Sequence, residues 1–134
     1  MILVDTSVII GWFKKQDNLA VKYFEKIVES NNWGIADLTF HEVLQGASTE
    51  AEYDILDNYL STQKIYYAAR TIDFYRATSK MYFELRKNGV TIRNSPDTII
   101  ARIAIENKLK LLHNDKDFKI MAQYVKELET VKLE

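Results

Sequence analysis

Four acidic residues that lie far apart in the chain carry the chemistry that this sequence could perform. In chain order they are Asp5, Glu42, Asp97 and Asp115. We expect each of them at the end of a strand or at the start of a helix, and ligands of open α/β sheets bind outside the carboxyl ends of the strands. Carboxylates packed within a few ångströms raise each other's pKa, and a divalent cation removes that cost. The four acids therefore predict a cation site, provided that the first and fourth strands are neighbours.

The residue types narrow the choice of cation. The chain has no cysteine, which excludes a disulfide scaffold, a thiolate zinc site, an iron–sulfur centre and a thiol nucleophile. Oxygen ligands select a hard ion such as Mg²⁺ or Mn²⁺. Such an ion activates water and holds a phosphate, which is the chemistry of metal-dependent phosphodiester cleavage. His41 and His113 each adjoin an acid, but isolated histidines are more often structural, so we assign them no metal role.

Each acid taken alone also has a plain structural explanation. Asp97 and Glu42 fit a helix cap or a partner for the helix dipole, and Asp115 fits a turn equally well. Asp5 is harder to explain in this way, because an idle carboxylate beside the apolar residues 8–10 is costly to bury. The occurrence of all four at corresponding ends of the elements favours a site.

Hydrophobic patterning predicts the elements that position these acids. Strands are predicted at 2–4, 33–36, 65–67, 109–112 and 130–133. Helices are predicted at 6–13, 19–30, 39–46, 49–60, 71–88, 97–107 and 120–125. Thr6 and Thr39 are the expected N-caps of the first and third helices, and residues 114–118 are expected to form a loop. The alternation of strands and helices predicts an α/β fold with a mainly parallel sheet of about five strands, covered by helices on both faces.

Composition predicts one domain over residues 1–134 and a place in the cytoplasm. The chain is 47% hydrophobic and 28% charged, with a formal net charge of −1. These values exclude a disordered protein and argue against binding of nucleic acid through bulk positive charge. No basic segment precedes the first apolar run, and no apolar run reaches the length of a membrane span, so we expect neither export nor a membrane partner.

Four segments around the acids follow one another in a distinctive order. They are Val4-Asp5-Thr6-Ser7-Val8-Ile9-Ile10, His41-Glu42-Val43-Leu44-Gln45-Gly46, Ser95-Pro96-Asp97-Thr98-Ile99-Ile100-Ala101 and Leu112-His113-Asn114-Asp115-Lys116-Asp117-Phe118. These segments resemble the successive motifs of PIN domains, and in particular those of VapC-like toxins of type II toxin–antitoxin systems. The resemblance covers nearly the whole chain, from the first residues to about Phe118.

The resemblance implies a three-layer α/β/α domain that is a Mg²⁺- or Mn²⁺-dependent endoribonuclease. Carried over by motif, the four acids would hold the ion, with Asp5 and Asp97 first, Asp115 next and Glu42 fourth. Supporting roles fall to the hydroxyls of Thr6 and Ser7, which would position a carboxylate or a metal-bound water, and to Asp117, which would act through water or cap the last helix. Arg93 and Lys116 flank the third and fourth motifs and are the candidate phosphate contacts.

The resemblance also implies partners: an RNA substrate, a cognate antitoxin whose tail covers the active cleft, and a second copy of the chain. Two positions depart from the pattern, because many relatives have a basic residue in place of Gln45 and a small residue in place of Arg102. The alternative hypothesis is a catalytically inactive PIN-like binding or scaffold module. A haloacid dehalogenase-like phosphatase is disfavoured because Ser7 stands where a second acid is required, and a response-regulator receiver because no acidic pair follows the first strand.

Overall fold

The structure is a computed structural model that describes residues 1–133. Within that range the chain forms four strands and seven helices. The strands are β1 (Ile2–Val4), β2 (Trp33–Ala36), β3 (Lys64–Tyr66) and β4 (Lys110–Leu112). The helices are α1 (Thr6–Phe13), α2 (Leu19–Ile27), α3 (Asp37–Gln45), α4 (Glu50–Leu60), α5 (Ile72–Lys87), α6 (Pro96–Glu106) and α7 (Lys116–Tyr124). None of the helices in residues 1–133 has the length and apolar character needed to cross a bilayer.

The four strands form one parallel sheet in the order β3-β2-β1-β4. Ile2 of β1 lies opposite Trp33 of β2 on one side and Lys110 of β4 on the other. The predicted α/β class is therefore confirmed. The pairing of β1 with β4 also meets the condition on which the convergence of the acids depended.

Helices cover both faces of the sheet, as predicted. The side chains of adjacent residues in a strand point to opposite faces, so Leu3 and Leu111 enter one apolar cluster while Val4 and Leu112 enter the other. The first cluster includes Ile100 and Phe118 of α6 and α7, and the second is built mainly from α1 to α4. Because these strand residues are fully buried, the carboxyl ends of the strands are held at fixed positions.

The prediction of about five strands is wrong by one. The segment expected to form a strand at 130–133 makes a single parallel bridge, between Thr130 and Leu111. Two hydrogen bonds of 2.9 Å support it, from the Leu111 N–H to the Glu129 carbonyl and from the Val131 N–H to the Leu111 carbonyl. Both of these hydrogen bonds are made by Leu111, so the segment pairs with β4 at one residue only and does not form a fifth strand.

Two helices begin at least two residues earlier than predicted, and a third has a different N-cap. Asp5, and not Thr6, caps α1, because its carboxylate accepts a hydrogen bond from the Ser7 N–H. Helix α3 begins at Asp37, so Thr39 lies inside its first turn. The expected loop at 114–118 is mostly helical, because the carboxylate of Asp115 caps α7 through the Asp117 N–H at 2.9 Å. In α1 and α7, an acid that follows a strand therefore provides the N-cap.

Candidate metal centre

The structure brings the four predicted acids to one edge of the sheet. Asp5 directly follows β1, and Asp115 lies three residues beyond the end of β4. Asp97 is in the first turn of α6, and Glu42 is on α3, the helix that follows β2. A hydrogen bond of 2.9 Å from the Asp5 N–H to the Leu112 carbonyl joins the two central strand ends.

Asp97 is the least satisfied acid of the group. Its side chain is buried, and within residues 1–133 its Oδ2 has no hydrogen-bond partner. Burial raises the pKa of Asp97 to about 7, with further increases from the negative charges of Asp5, Asp115, Glu42 and Asp117. Native structures rarely leave a buried carboxylate oxygen without a partner. A bound cation would supply the partner that this oxygen lacks.

Asp5 is buried beside it but is held by the start of α1. Its Oδ2 accepts hydrogen bonds from the Ser7 hydroxyl at 2.7 Å and from the Ser7 N–H at 3.2 Å. Burial raises the pKa of Asp5 to about 6, against the lowering effect of these hydrogen bonds. The Ser7 hydroxyl also accepts the Asn114 N–H at 3.1 Å. Ser7 thus fixes the orientation of Asp5 and links β1 to the loop before α7.

Glu42 is positioned by a hydroxyl pair. The Thr6 hydroxyl donates to Glu42 Oε1 at 2.8 Å, and its oxygen lies 3.2 Å from the hydroxyl oxygen of the fully buried Thr39. Thr39 is predicted from the sequence only as a helix cap, and its contact with Thr6 is not predicted. Its place beside Glu42 could have been predicted, because the two residues are three apart on one helix and therefore share a face.

Asp115 and Asp117 form the outer part of the cluster together with Arg93. Single carboxylate oxygens of Asp97, Asp115 and Asp117 lie within 4.8 Å of one another. Arg93 Nε lies 3.2 Å from Asp117 Oδ2, the Arg93 N–H donates to the same oxygen at 3.3 Å, and Arg93 Nη2 lies 3.7 Å from Asp115 Oδ1. Arg93 therefore lies at the site, as predicted, but its nearest partners are carboxylates.

The remaining candidates lie around this cluster. Lys116 is exposed at the start of α7 and forms no ion pair within the described part of the chain. The His113 ring packs against Phe118, and its Nδ1 accepts the Asp115 N–H at 3.2 Å. Burial lowers the pKa of His113, so its neutral form buttresses the Asp115 backbone, in keeping with a structural role. His41 is exposed on α3.

Among residues 1–133, neither departure from the family pattern makes a hydrogen bond or an ion pair with the four predicted acids. Gln45 is exposed at the end of α3. Arg102 forms an ion pair of 2.9 Å with Glu106, one turn further along α6. The acidic cluster is therefore built without either residue.

The donor set fits a hard divalent cation. All the clustered ligand atoms are oxygens, and hard ions such as Mg²⁺ and Mn²⁺ prefer such ligands. Asp97 offers an oxygen without a partner, and Asp5, Glu42 and Asp115 are oriented around it by hydrogen bonds. Asp117 differs, because one of its oxygens already accepts two donors from Arg93.

Comparison with known proteins identifies the family. The family model described as the PIN domain matches residues 2–124. Among curated proteins, the chain is 27% identical to the VapC ribonuclease Mb1587 of Mycobacterium bovis over 125 residues, covering 92% of each chain. It is 28% identical to ribonuclease VapC1 of Methanocaldococcus jannaschii over 123 residues, covering 92% of this chain and 82% of the relative.

A solved structure shares the fold. It is the structure of VapBC2 from Rickettsia felis bound to a DNA fragment from the VapBC2 promoter. The two chains superpose with a TM-score of 0.74, are 23% identical in sequence, and are each covered to 98%. The resemblance inferred from the four motifs is thus confirmed in sequence and in fold. The chain belongs to the PIN domain family.

Proposed function

We propose that this protein is a Mg²⁺- or Mn²⁺-dependent endoribonuclease and the toxin of a type II toxin–antitoxin pair, acting on RNA in the cytoplasm. The observation that carries the proposal is the buried Oδ2 of Asp97, which has no partner among residues 1–133 and lies among the converging acids. The relatives described above support the reaction class, because they are named VapC ribonucleases.

In this proposal Asp97, Asp5, Asp115 and Glu42 hold the ion. When bound, the ion supplies a Lewis acid that activates water and offsets charge on a phosphate. The chain's own task is to orient the carboxylates. Ser7 and Thr6 perform this task through their hydrogen bonds to Asp5 and Glu42, and such supporting contacts sustain metal affinity.

The substrate contacts follow from the charge distribution. The net charge of −1 gives the chain no overall attraction for RNA, so we expect RNA binding to depend more on the divalent ion than on bulk charge. Arg93 and Lys116 are exposed beside Asp115 and are the proposed phosphate contacts. Their positive charge would offset the negative charge that develops on the phosphate during cleavage.

The proposed partners are a cognate antitoxin and a second copy of the chain. The solved neighbours include VapBC complexes from Rickettsia felis and Haemophilus influenzae. An apolar cleft between α1, α3 and α4 supports an antitoxin site. It is lined in part by Ile10, Phe13, Val43 and Ile55, and Ile55 is 61% exposed. Exposed apolar surface of this kind commonly marks a protein interface.

The test of the proposal is RNA cleavage by the purified protein with and without Mn²⁺. We expect cleavage of a pool of labelled single-stranded RNA that starts on addition of Mn²⁺, stops on chelation and is lost in Asp97→Asn. Glu106→Gln is the matched control, because it neutralises an acid at the other end of the same helix. A well-folded wild-type protein that binds Mn²⁺ but cuts no RNA, or that does neither, would support the inactive binding module.

A further inference from the structure

Asp117 makes contacts that set it apart from the acids assigned to the ion. It is 6% exposed, close to the 4% of Asp97, yet the two carboxylates have opposite surroundings. Asp97 Oδ2 has no partner among residues 1–133, whereas Asp117 Oδ2 accepts both the backbone N–H and the Nε–H of Arg93, at 3.3 and 3.2 Å. The oxygen of Asp117 that Arg93 engages is therefore already neutralised by a protein cation.

The Arg93–Asp117 contact joins the two segments that carry the site. Arg93 lies just before α6, the helix that carries Asp97. Asp117 lies in the first turn of α7, two residues after the N-cap Asp115. The contact spans 24 residues of sequence. Because both the backbone and the side chain of Arg93 bind one carboxylate oxygen, the contact fixes the position of the residue and the direction of its guanidinium together.

The rest of the guanidinium is available to a ligand. The Arg93 side chain is 66% exposed although it lies against buried acids. Its Nη2 is 3.7 Å from Asp115 Oδ1, which is too long for a hydrogen bond. Arginine has five N–H donors in a rigid fork that matches phosphate, and engagement of Nε leaves the terminal donors free at the mouth of the acidic cluster.

We propose that Asp117 is a positioning residue that holds Arg93 ready for an RNA phosphate, and that it does not bind the metal ion. The proposal rests on the proposed function. It gives two neighbouring acids different roles. Asp115 binds the ion together with Asp97, while Asp117 positions Arg93 to bind the substrate. Removing Asp117 leaves the ion bound but lets the guanidinium swing away from the phosphate.

The experiment measures Mn²⁺ affinity by calorimetry, and kcat and KM for labelled single-stranded RNA, in wild type and variants. For Asp117→Ala we expect Mn²⁺ affinity within about 3-fold of wild type and a KM raised about 10-fold, the size of one lost charge-assisted hydrogen bond. For Asp117→Asn we expect a KM between those of the wild type and Asp117→Ala, because the amide oxygen still accepts a hydrogen bond from Arg93. Arg93→Ala raises KM to the same extent, and the double variant Arg93→Ala/Asp117→Ala adds nothing further.

The Arg102–Glu106 pair provides the matched control. It is another arginine–acid contact, at 2.9 Å, but it lies toward the far end of α6, and Arg102→Ala should leave both KM and Mn²⁺ affinity unchanged. Thermal melting verifies that each variant is folded at the assay temperature.

Three outcomes would overturn the inference. A fall in Mn²⁺ affinity for Asp117→Ala and Asp117→Asn as large as that for Asp97→Asn would make Asp117 a metal ligand. An unchanged KM in folded Asp117→Ala would make the contact merely structural. Additive effects of Arg93→Ala and Asp117→Ala on KM would make the two residues independent. Failure of the proposed function is distinct, because it appears already in the wild type as an absence of Mn²⁺-dependent cleavage, and it overturns this inference too.

Discussion

The two halves of the acidic cluster are built on opposite principles. The inner half, Asp5 and Asp97, is buried and carries raised pKa values, of about 6 and about 7. The outer half, Asp115 and Asp117, has a cation beside it, because Arg93 lies 3.7 Å from Asp115 Oδ1 and 3.2 Å from Asp117 Oδ2. Among residues 1–133 no basic side chain forms an ion pair with Asp5 or Asp97.

This difference distinguishes acidic residues that serve the fold from acidic residues that await a ligand. An acid whose oxygens are fully partnered by the protein is explained by the fold, as a cap or an ion-pair partner. A buried oxygen without a partner costs stability and persists only where something else compensates. By this criterion Asp97 is the centre of the candidate site, although all of these acids look alike in the sequence.

The largest expected effect is the loss of activity on neutralising the inner half. Asp97→Asn and Asp5→Asn should each lower the rate of RNA cleavage by more than about 100-fold, beyond the effect typical of residues that only support a metal ligand. The metal-free Asp97→Asn protein should also melt at a higher temperature than the wild type, because the variant removes an unpaired buried charge. RNA cleavage assays and thermal melting measure the two effects.

Retained cleavage by well-folded Asp5→Asn, free of wild-type carry-over, would contradict this assignment. If metal-free Asp97→Asn is less stable than the metal-free wild type, the Asp97 carboxylate makes favourable interactions in the folded protein, and the contrast between the two halves is wrong.

The next effect is a dependence of stability on pH that belongs to the inner half. Folding raises the pKa of Asp97 from 3.8 to about 7 and that of Asp5 to about 6, so between these values the folded protein binds protons that the unfolded chain has released. The free energy of unfolding without metal should therefore fall as the pH rises from about 4 to about 7, by a few kcal/mol in total. Denaturant titrations at a series of pH values measure it.

Added Mn²⁺ should reverse this trend, because the ion binds the ionised carboxylates. The stabilisation by Mn²⁺ should grow from pH 5 to pH 8. Asp97→Asn should flatten both dependences, and a metal-free wild-type protein that becomes more stable over the same range would be inconsistent with an inner half that has no cation beside it among residues 1–133.

A smaller effect is expected at the hydroxyl that orients Glu42. Thr6→Val removes the 2.8 Å hydrogen bond to Glu42 Oε1 and should lower activity about 10-fold, as for other contacts that orient metal ligands. Thr78→Val is the matched control, because its buried hydroxyl donates only to a carbonyl of its own helix, α5. Equal activity losses in both variants would point to a general packing defect. Cleavage rates at saturating Mn²⁺ make the comparison.

The smallest expected effect concerns the outer half. Arg93→Ala leaves the buried Asp117 with fewer donors and should lower the free energy of unfolding by about 1 kcal/mol, since Arg93 itself is mostly exposed. Chemical denaturation at pH 8 without metal measures the change. The sign is opposite to that expected for Asp97→Asn, and a stabilising Arg93→Ala would remove the distinction between the two halves.

The parts of the fold that could be predicted are those with a local pattern. Short apolar runs marked the positions of β1 to β4, and their alternation with helices predicted a parallel sheet. The pairing of β1 with β4, which brings Asp5 beside the end of β4, was only a condition of the site prediction. The strand predicted at 130–133 from its hydrophobic pattern forms only a single bridge to Leu111, because a short apolar pattern does not determine how far a segment pairs with its neighbour.

The sequence predicted which acidic residues come together, but not which hydrogen bonds and ion pairs they form. Asp5 and Asp115 were recognised from their positions, but neither was predicted as the N-cap that it forms. For α1 the adjacent Thr6 is an equally good cap, and for α7 residues 114–118 were expected to form a loop. The contact of Arg93 with Asp117 spans 24 residues without any periodic pattern. Which acid would lack a partner could not be predicted either, because this depends on burial by elements from the whole chain.

Anomalous diffraction from crystals grown with Mn²⁺ at pH 8 would show whether Asp97, and not Asp117, binds the ion. We predict a manganese peak in direct contact with Asp97 Oδ2 and with Asp5 or Asp115, while Asp117 stays paired with Arg93. A well-ordered site without a manganese peak, or a peak held by Asp117 with Arg93 displaced and Asp97 out of contact, would contradict it.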